Sequence, residues 1–583
     1  MPSILMAFGV AVFSAITTLA LGYLVLSTVG YRGSAGTSWR NSGIAMATGL
    51  SVLAFSSHAL LALGPLAFYW ICAIGVPAIW LSRRYLISEV VTGLQAVRTV
   101  SFKTVPLALL STGVFALMLI RALTPSTEGD ALSGYLVTAQ WFAENGIRYC
   151  PYNARYSLMP TAIEQVWALV YRAGGDLAVK CFDWHMGLAL FALIYQVSRT
   201  YASHILSWCA GMTLLVTPAL SVDVWTTGKI DMPSTLIGLA AIAVALDERA
   251  IVNVRTRVLL ASALFGVACA TKYTIWIFAP GFLAALLHAH WRSWHLVATS
   301  LGTVTLAVLP HLIRNTLWTG NPIAPFGQSL FPTVNVFLSH QSDAVRLSTA
   351  QLLALPYTLF FNWEPPRYPG PAPLILLGGL AAWILIKAPR PRIPHGAAAA
   401  LMTAVWIAVR REEWLVTRFL LIPQGLFLMA SAASLQRSRL LRPIAIGVTI
   451  ATIVYSGLWT KRHYRSGVPF LTGRMTREDF YRPYSNRPYA VANRLVRDLG
   501  PGERLFMPIL TGLIPYERWG SLSTEADAAA FASIKDPAEK AAFLDSGRYR
   551  HYFSFGSGAC VPRFTPTQPT GVRYILCSRE SQR

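Results

Sequence analysis

Glu128 and Asp130, two carboxylates one glycine apart, stand in Thr124-Pro125-Ser126-Thr127-Glu128-Gly129-Asp130. An aspartate in that place could take a proton from an acceptor hydroxyl as a general base. It could equally be a helix-start carboxylate complementing the dipole of the helix behind it. Asp231, with Asp223 and Lys229 close by, precedes Met232-Pro233 and allows the same two readings. A proline in the first turn fits a helix start. Glu164, in Pro160-Thr161-Ala162-Ile163-Glu164, is a third carboxylate, functional or structural. The cations form a matching set. Lys272 interrupts apolar sequence at Ala270-Thr271-Lys272-Tyr273, Arg314 ends another apolar run, and Arg410, Arg411 and Arg418 bracket a further turn. Any one of them could be a cation snorkelling out of lipid. Several facing one acidic loop make a phosphate cradle, able to hold a lipid phosphate and stabilise it as a leaving group.

The elements that must position these groups are apolar. Of 583 residues, 54% are hydrophobic and 13% charged, against about 25% charged in ordinary soluble domains. Runs of about 20 apolar residues recur, each long enough to cross a hydrocarbon core of ~30 Å. The expected fold is a polytopic α-helical membrane protein with about fourteen spans by windowed hydropathy. They lie near Ser3–Gly30, Gly43–Leu63, Pro65–Leu81, Val105–Ile120, Leu177–Val197, Ile205–Leu220, Met232–Leu246, Leu259–Thr271, Thr274–His290, Val297–Ile313, Pro373–Ile386, Ala397–Val409, Phe419–Leu435 and Pro443–Leu458. Leu259–Thr271 and Ala397–Val409 are short enough to be half-spans.

The net charge is +23. A nucleic-acid binder would gather such charge on one soluble face; here much of it alternates along the chain, and no nucleic-acid partner is expected. Placing Arg32 and Arg40, Arg83 to Lys103, Arg199, Arg249 to Arg257, Arg292, Lys387 to Arg392 and Arg437 to Arg442 in the cytoplasm makes every second loop internal. The N-terminus, Arg121–Asp176 and everything after Leu458 then lie outside. The first span lacks a basic start and a clear cleavage site and is expected to be retained.

Three regions follow: N-terminal spans over 1–120, a catalytic region over 121–459 with external loops 121–176 and 314–370, and an external tail over 460–583. In the first loop, Leu132, Tyr135, Leu136, Ala139 and Phe142 recur at helical spacing, the stripe of a helix lying along the membrane surface and stopped by Asn145-Gly146. Thr127 and Asp130 resemble a capping box. A second helix, Ile163 to Tyr171, ends at Gly174-Gly175. The tail is polar and reads as a small α/β domain. It has a helix over Tyr489–Leu499 and strands over Arg504–Met507, Tyr549–Phe555 and Val572–Cys577. Cys560 and Cys577 share it, and an oxidising compartment would allow them a disulfide. No cysteine or histidine spacing suggests zinc.

At these residues the sequence resembles the GT-C superfamily, the multi-span glycosyltransferases that use polyprenyl-phosphate sugars. It is most similar to the bacterial branch related to protein mannosyltransferases and the lipid A aminoarabinose transferase. Asp130-Ala131-Leu132 resembles the first-loop acidic motif, continued by Tyr152-Asn153, Ser157, Pro160 and Glu164. Gly175-Asp176 with Lys180 and Gly187 resembles the next helix, and Asp231-Met232-Pro233 the second acidic motif. Thr271-Lys272-Tyr273-Thr274 matches the lysine turn. Arg314-Asn315 with Thr319-Gly320-Asn321-Pro322 and Pro325-Phe326 matches a loop signature, and Arg418-Phe419-Leu420-Leu421 a late motif. Gly134-Tyr135 stands where the family usually has Tyr-His. The resemblance implies a GT-C fold and Asp130 as base, with Glu128 and Asp231 as the other acidic candidates. Some relatives bind a divalent metal at such acidic residues and others need none, so both stay open.

The expected activity is transfer of a sugar from a polyprenyl-phosphate donor to a hydroxyl of a glycan, lipid or protein acceptor on the extracytoplasmic face of the inner membrane. Lys272, Arg314 and Arg418 would bind the donor phosphate, and a single displacement would invert the anomeric centre. Nucleotide sugars are cytoplasmic, so such an enzyme needs a donor delivered through the bilayer. The competing readings are a transporter or flippase of an anionic lipid, which would place ionisable residues at mid-span and show an inverted repeat, and a scaffold indifferent to any carboxylate.

Overall fold

A computed structural model describes residues 2–31, 42–62, 67–98, 104–221, 224–247, 251, 253–287, 293–327, 330–331, 375–376, 378–380, 394–409, 417–481, 487–507, 522–555, 560–562, 564–571 and 574–579. Asp223, Arg410, Arg411, most of the expected span Pro373–Ile386 and most of loop 314–370 lie outside the described residues, as does the side chain of Arg418.

Among the described residues six helices are long and apolar enough to cross a membrane: Ile4–Thr28, Ser42–Ala62, Val105–Ala122, Ala162–Arg199, Trp294–Thr319 and Leu441–Leu458. Four shorter apolar helices, His204–Leu215, Asp231–Leu246, His395–Ile407 and Leu421–Leu435, occupy further expected spans. At 1.5 Å per residue a helix of 16 residues covers only about 24 Å. Asp231–Leu246 is buried along its whole length, so protein rather than lipid surrounds it. The expected span Thr274–His290 is broken into Tyr273–Trp276 and Ala279–Leu287.

The first helix, the second and Ala162–Arg199 pack closely, and glycines set that closeness. A Cβ on Gly49 would sit 1.7 Å from the Thr18 carbonyl oxygen, and one on Gly22 1.7 Å from that of Ala45. Small residues let helix backbones meet in this way. Ala162–Arg199 pivots at Gly175 (φ 67°, ψ −165°), the position where the sequence ends one helix and begins a span. The first half, the helix expected over Ile163–Tyr171, is enclosed by protein. Ile163 to Val170 are all buried, and the Ala162 N–H bonds the Ala270 carbonyl (3.1 Å).

The loop helix is also covered more fully than its stripe predicts. It starts with a π-helical turn, Ala131–Tyr135, continues as Leu136–Asn145, and stops at Gly146 (φ 69°). Leu136, Ala139 and Phe142 face the main core, while Val137, off the stripe, is buried against the tail. The helix is therefore sandwiched between bundle and tail, where a membrane-surface position would leave one face wet.

The helix Leu441–Leu471 runs unbroken through residue 460. Beyond it come Arg477–Tyr481, Arg487–Asp498 and a four-stranded sheet. The strands are β1 (Arg504–Phe506), β2 (Tyr549–Phe555), β3 (Phe564–Gly571) and β4 (Tyr574–Arg579), in the order β1-β2-β4-β3. β1 pairs parallel to β2, and the other pairs are antiparallel. Cys560 and Cys577 are disulfide-bonded. β3 escapes the sequence reading because it carries Pro566 and Pro569, which an edge strand tolerates.

Candidate active site

The acidic loop is anchored before it reaches its carboxylates. Helix Val105–Ala122 ends with its Arg121 carbonyl accepting from Lys180 Nζ (3.0 Å); Lys180 also donates to the Thr124 carbonyl. A cation at a helix C-terminus meets the negative end of the dipole. Ser126 Oγ then donates to the Thr227 carbonyl (2.6 Å), joining this loop to the turn before Asp231. Two residues later Glu128 lies 3.6 Å from the Arg121 guanidinium and 3.5 Å from Lys229 Nζ, and Asp130 lies 3.8 Å from the same ammonium. Lys229 is 3% exposed and Asp130 37%, so the cation is enclosed while the carboxylate next to it remains open to solvent.

The π turn that follows Asp130 adds a residue per turn, a geometry frequent at functional sites. Gly134 fits inside it because the ring of Tyr156 lies 2.4 Å from where a Cβ would be. Asn153 Nδ2 holds the turn from beneath through the Gly134 carbonyl (3.0 Å) and Thr138 Oγ1 (2.9 Å).

The turn delivering Lys229 and Asp231 is strained. Thr226 has φ 63°, a left-handed conformation that a β-branched residue rarely adopts. Its N–H donates to Asp183 Oδ2 (3.0 Å), a fully buried carboxylate on Ala162–Arg199. Strain of this kind persists where the surroundings over-determine it, and here Asp183 and Ser126 do so. Asp231 then opens its helix and binds Lys272 Nζ at 2.6 Å. The same ammonium sits 4.5 Å over the Phe419 ring, a cation–π contact supplied by the 3-10 turn Thr417–Leu420.

Three carboxylates, Glu128, Asp130 and Asp231, thus meet three cations, Arg121, Lys229 and Lys272, at one end of these helices. Arg314 belongs to a different arrangement. It is 3% exposed, and its guanidinium donates to Thr161 Oγ1, the Met159 carbonyl (2.9 Å) and Asn315 Oδ1 (3.0 Å), and meets His311 Nδ1 (2.9 Å). Asn315 holds the Leu158 and Ala324 carbonyls (2.7 and 2.9 Å). Arg314, expected at the donor phosphate, braces residues 158–161 against the turn 321–326. Glu164 is fully buried, and neither carboxylate oxygen has a hydrogen-bond partner among the described residues.

Among the described residues no three His, Cys, Asp or Glu side chains converge, and the Lys229 ammonium sits against Glu128 and Asp130. Lys229 is the residue the sequence reading undervalued, noting it only as a neighbour of Asp231. Asp183 gave no signal, since a carboxylate inside an apolar run announces no partner. Compared with protein families and with curated proteins, the chain gives no match to either.

Proposed function

We propose that this chain is an integral-membrane glycosyltransferase of GT-C type. It moves a sugar from a polyprenyl-phosphate donor to an acceptor hydroxyl at the extracytoplasmic face of the inner membrane, with inversion. The reading takes the shorter apolar helices as further crossings, toward about fourteen, and puts the tail outside. The observation that supports it best is a pair of ion-paired groups, Glu128 and Asp130 with Lys229, and Asp231 with Lys272, whose cation Lys229 and acid Asp231 stand two residues apart in one turn; the first group offers a solvent-open carboxylate and the second an aromatic-backed ammonium.

Asp130, the most exposed of the three acids, takes the acceptor proton as its oxygen attacks the anomeric carbon. The bond from that carbon to the phosphate oxygen breaks, and its electron pair leaves with the phosphate, which gains one negative charge. Asp130 loses one by protonation, so the net charge of the site is the same before and after. Lys272 faces the growing phosphate charge, where a fixed cation lowers the barrier most. Asp231 and Phe419 hold that ammonium in place.

A lipid transporter would use ionisable groups at mid-span. Lys180 and Asp183 lie near the outer end of the expected span Leu177–Val197 rather than at its middle, where Lys180 donates to the Arg121 and Thr124 carbonyls and Asp183 Oδ2 accepts from the Thr226 N–H. The test is purified protein in proteoliposomes, given a polyprenyl-phosphate sugar and an acceptor. The account expects a glycoside of inverted configuration and free polyprenyl phosphate in equal amounts. Lipid moved across the bilayer with no sugar transferred would contradict it.

A further inference from the structure

The segment carrying Asp130 is covered on two sides. Ala131, Leu136, Ala139 and Phe142 pack into the helical bundle. Leu132 packs instead against Phe480 and Tyr481, and Val137 against a cluster that includes Val491, Val496 and Leu505. The second cover is therefore built from the polar tail. The tail reaches this place along Leu441–Leu471, whose Gly467 runs so close to the end of Val105–Ala122 that a Cβ there would lie 3.3 Å from Ile120 and Thr124. The chain then turns at Gly473 (φ 73°) into Arg477–Tyr481.

One ion pair fastens this arrangement. The Arg477 guanidinium binds Asp176, which is 8% exposed and follows the Gly175 pivot directly. Arg477 opens the same short helix that ends at Tyr481, so the pair ties the tail residue lying on Leu132 to the pivot of Ala162–Arg199. That long helix also supplies Lys180 and Asp183, the two groups that anchor the acidic loop and the Thr226 turn. The tether and the anchors thus share one rigid element, with the base-bearing segment between it and the tail.

We infer that Arg477 is a positioning residue: paired with Asp176, it docks the tail as a roof that holds residues 128–137 in their working geometry. The inference rests on the glycosyltransferase reading for its effect on turnover, but not for its effect on order.

Hydrogen exchange of the full-length protein in nanodiscs separates the two. Arg477→Ala should speed amide exchange across residues 128–145 about tenfold. The double charge reversal Asp176→Arg/Arg477→Asp should restore protection. In the transfer assay the single variant should lose about tenfold in kcat with donor KM unchanged, and the reversal should recover it. A variant that merely misfolds would not be rescued by reversing the pair. Unchanged exchange in Arg477→Ala, or a double reversal no better protected than the single variant, would overturn the inference. If the wild-type protein transfers no sugar while exchange responds as stated, the function fails and the roof stands.

Discussion

At the scale of single residues, Lys272 and Arg314 show what a sequence leaves open. Both are cations next to apolar runs, and both read as phosphate ligands. Their partners differ. The Lys272 ammonium has one carboxylate at 2.6 Å and a ring at 4.5 Å, whereas Arg314 is wrapped by backbone and side-chain acceptors. No local signal in Leu312-Ile313-Arg314-Asn315 specifies that the Met159 carbonyl and Thr161 will meet the guanidinium, because those residues lie about 150 positions earlier. Removing Lys272 alone would strand the buried Asp231 charge, which is itself strongly destabilising. The informative variant is Lys272→Ala with Asp231→Asn. Loss of a charge-assisted contact worth about 1.5–3 kcal/mol should raise donor KM roughly 10- to 150-fold. Titrating donor in the transfer assay measures it, and an unchanged KM would remove Lys272 from the phosphate site.

At the scale of elements, the sequence showed boundaries better than burial. Gly146 and Gly175 ended helices where they were expected to, because each adopts a positive φ that other residues resist. β2 was legible from Tyr549 to Phe555 through its aromatic run. The helices Glu525–Ser533 and Pro537–Ser546 were not anticipated, although Thr524 with Asp527 forms a capping box and Pro537 sits in a first turn. The strained Thr226 turn makes a prediction at this scale. Thr226→Gly removes both the left-handed penalty and a buried hydroxyl that has no partner among the described residues. Thermal unfolding in detergent should show a small rise in midpoint, corresponding to about 1 kcal/mol; a fall would mean the threonine side chain is needed there.

Asp527 makes a second. Burial pushes its carboxyl up, but the Thr524 N–H, the Tyr549 and Thr524 hydroxyls and Arg504 outweigh burial and hold it below the ordinary aspartate range. A depressed carboxyl contributes stability that is present above the ordinary value of about 3.9 and lost as pH falls through the lower folded value. Protection across 504–555, corrected for the intrinsic exchange rate at each pH, should therefore fall below pH ~4 in the wild type, and Asp527→Asn should flatten that acid limb.

At the scale of the whole molecule, composition announced a helical membrane bundle with a polar tail, and the six long apolar helices and small sheet agree. Composition could not say that the tail would bury Leu132 and Val137, because the stripe of the loop helix pointed only to a face laid on the membrane surface. Nor could hydropathy say that Asp231–Leu246 would be surrounded by protein rather than lipid. The account therefore rests on tertiary placement: Asp130 beside Lys229, and Lys272 on Asp231, at one end of the bundle. Its central claim is that Asp130 removes the acceptor proton. Asp130→Asn keeps the shape and abolishes the base, and general-base catalysis is typically worth 10²–10⁴-fold. Assayed in proteoliposomes with a polyprenyl-phosphate sugar, Asp130→Asn should lose at least about 100-fold in kcat while binding donor as tightly as the wild type. Turnover retained within a fewfold of the wild type would contradict the claim.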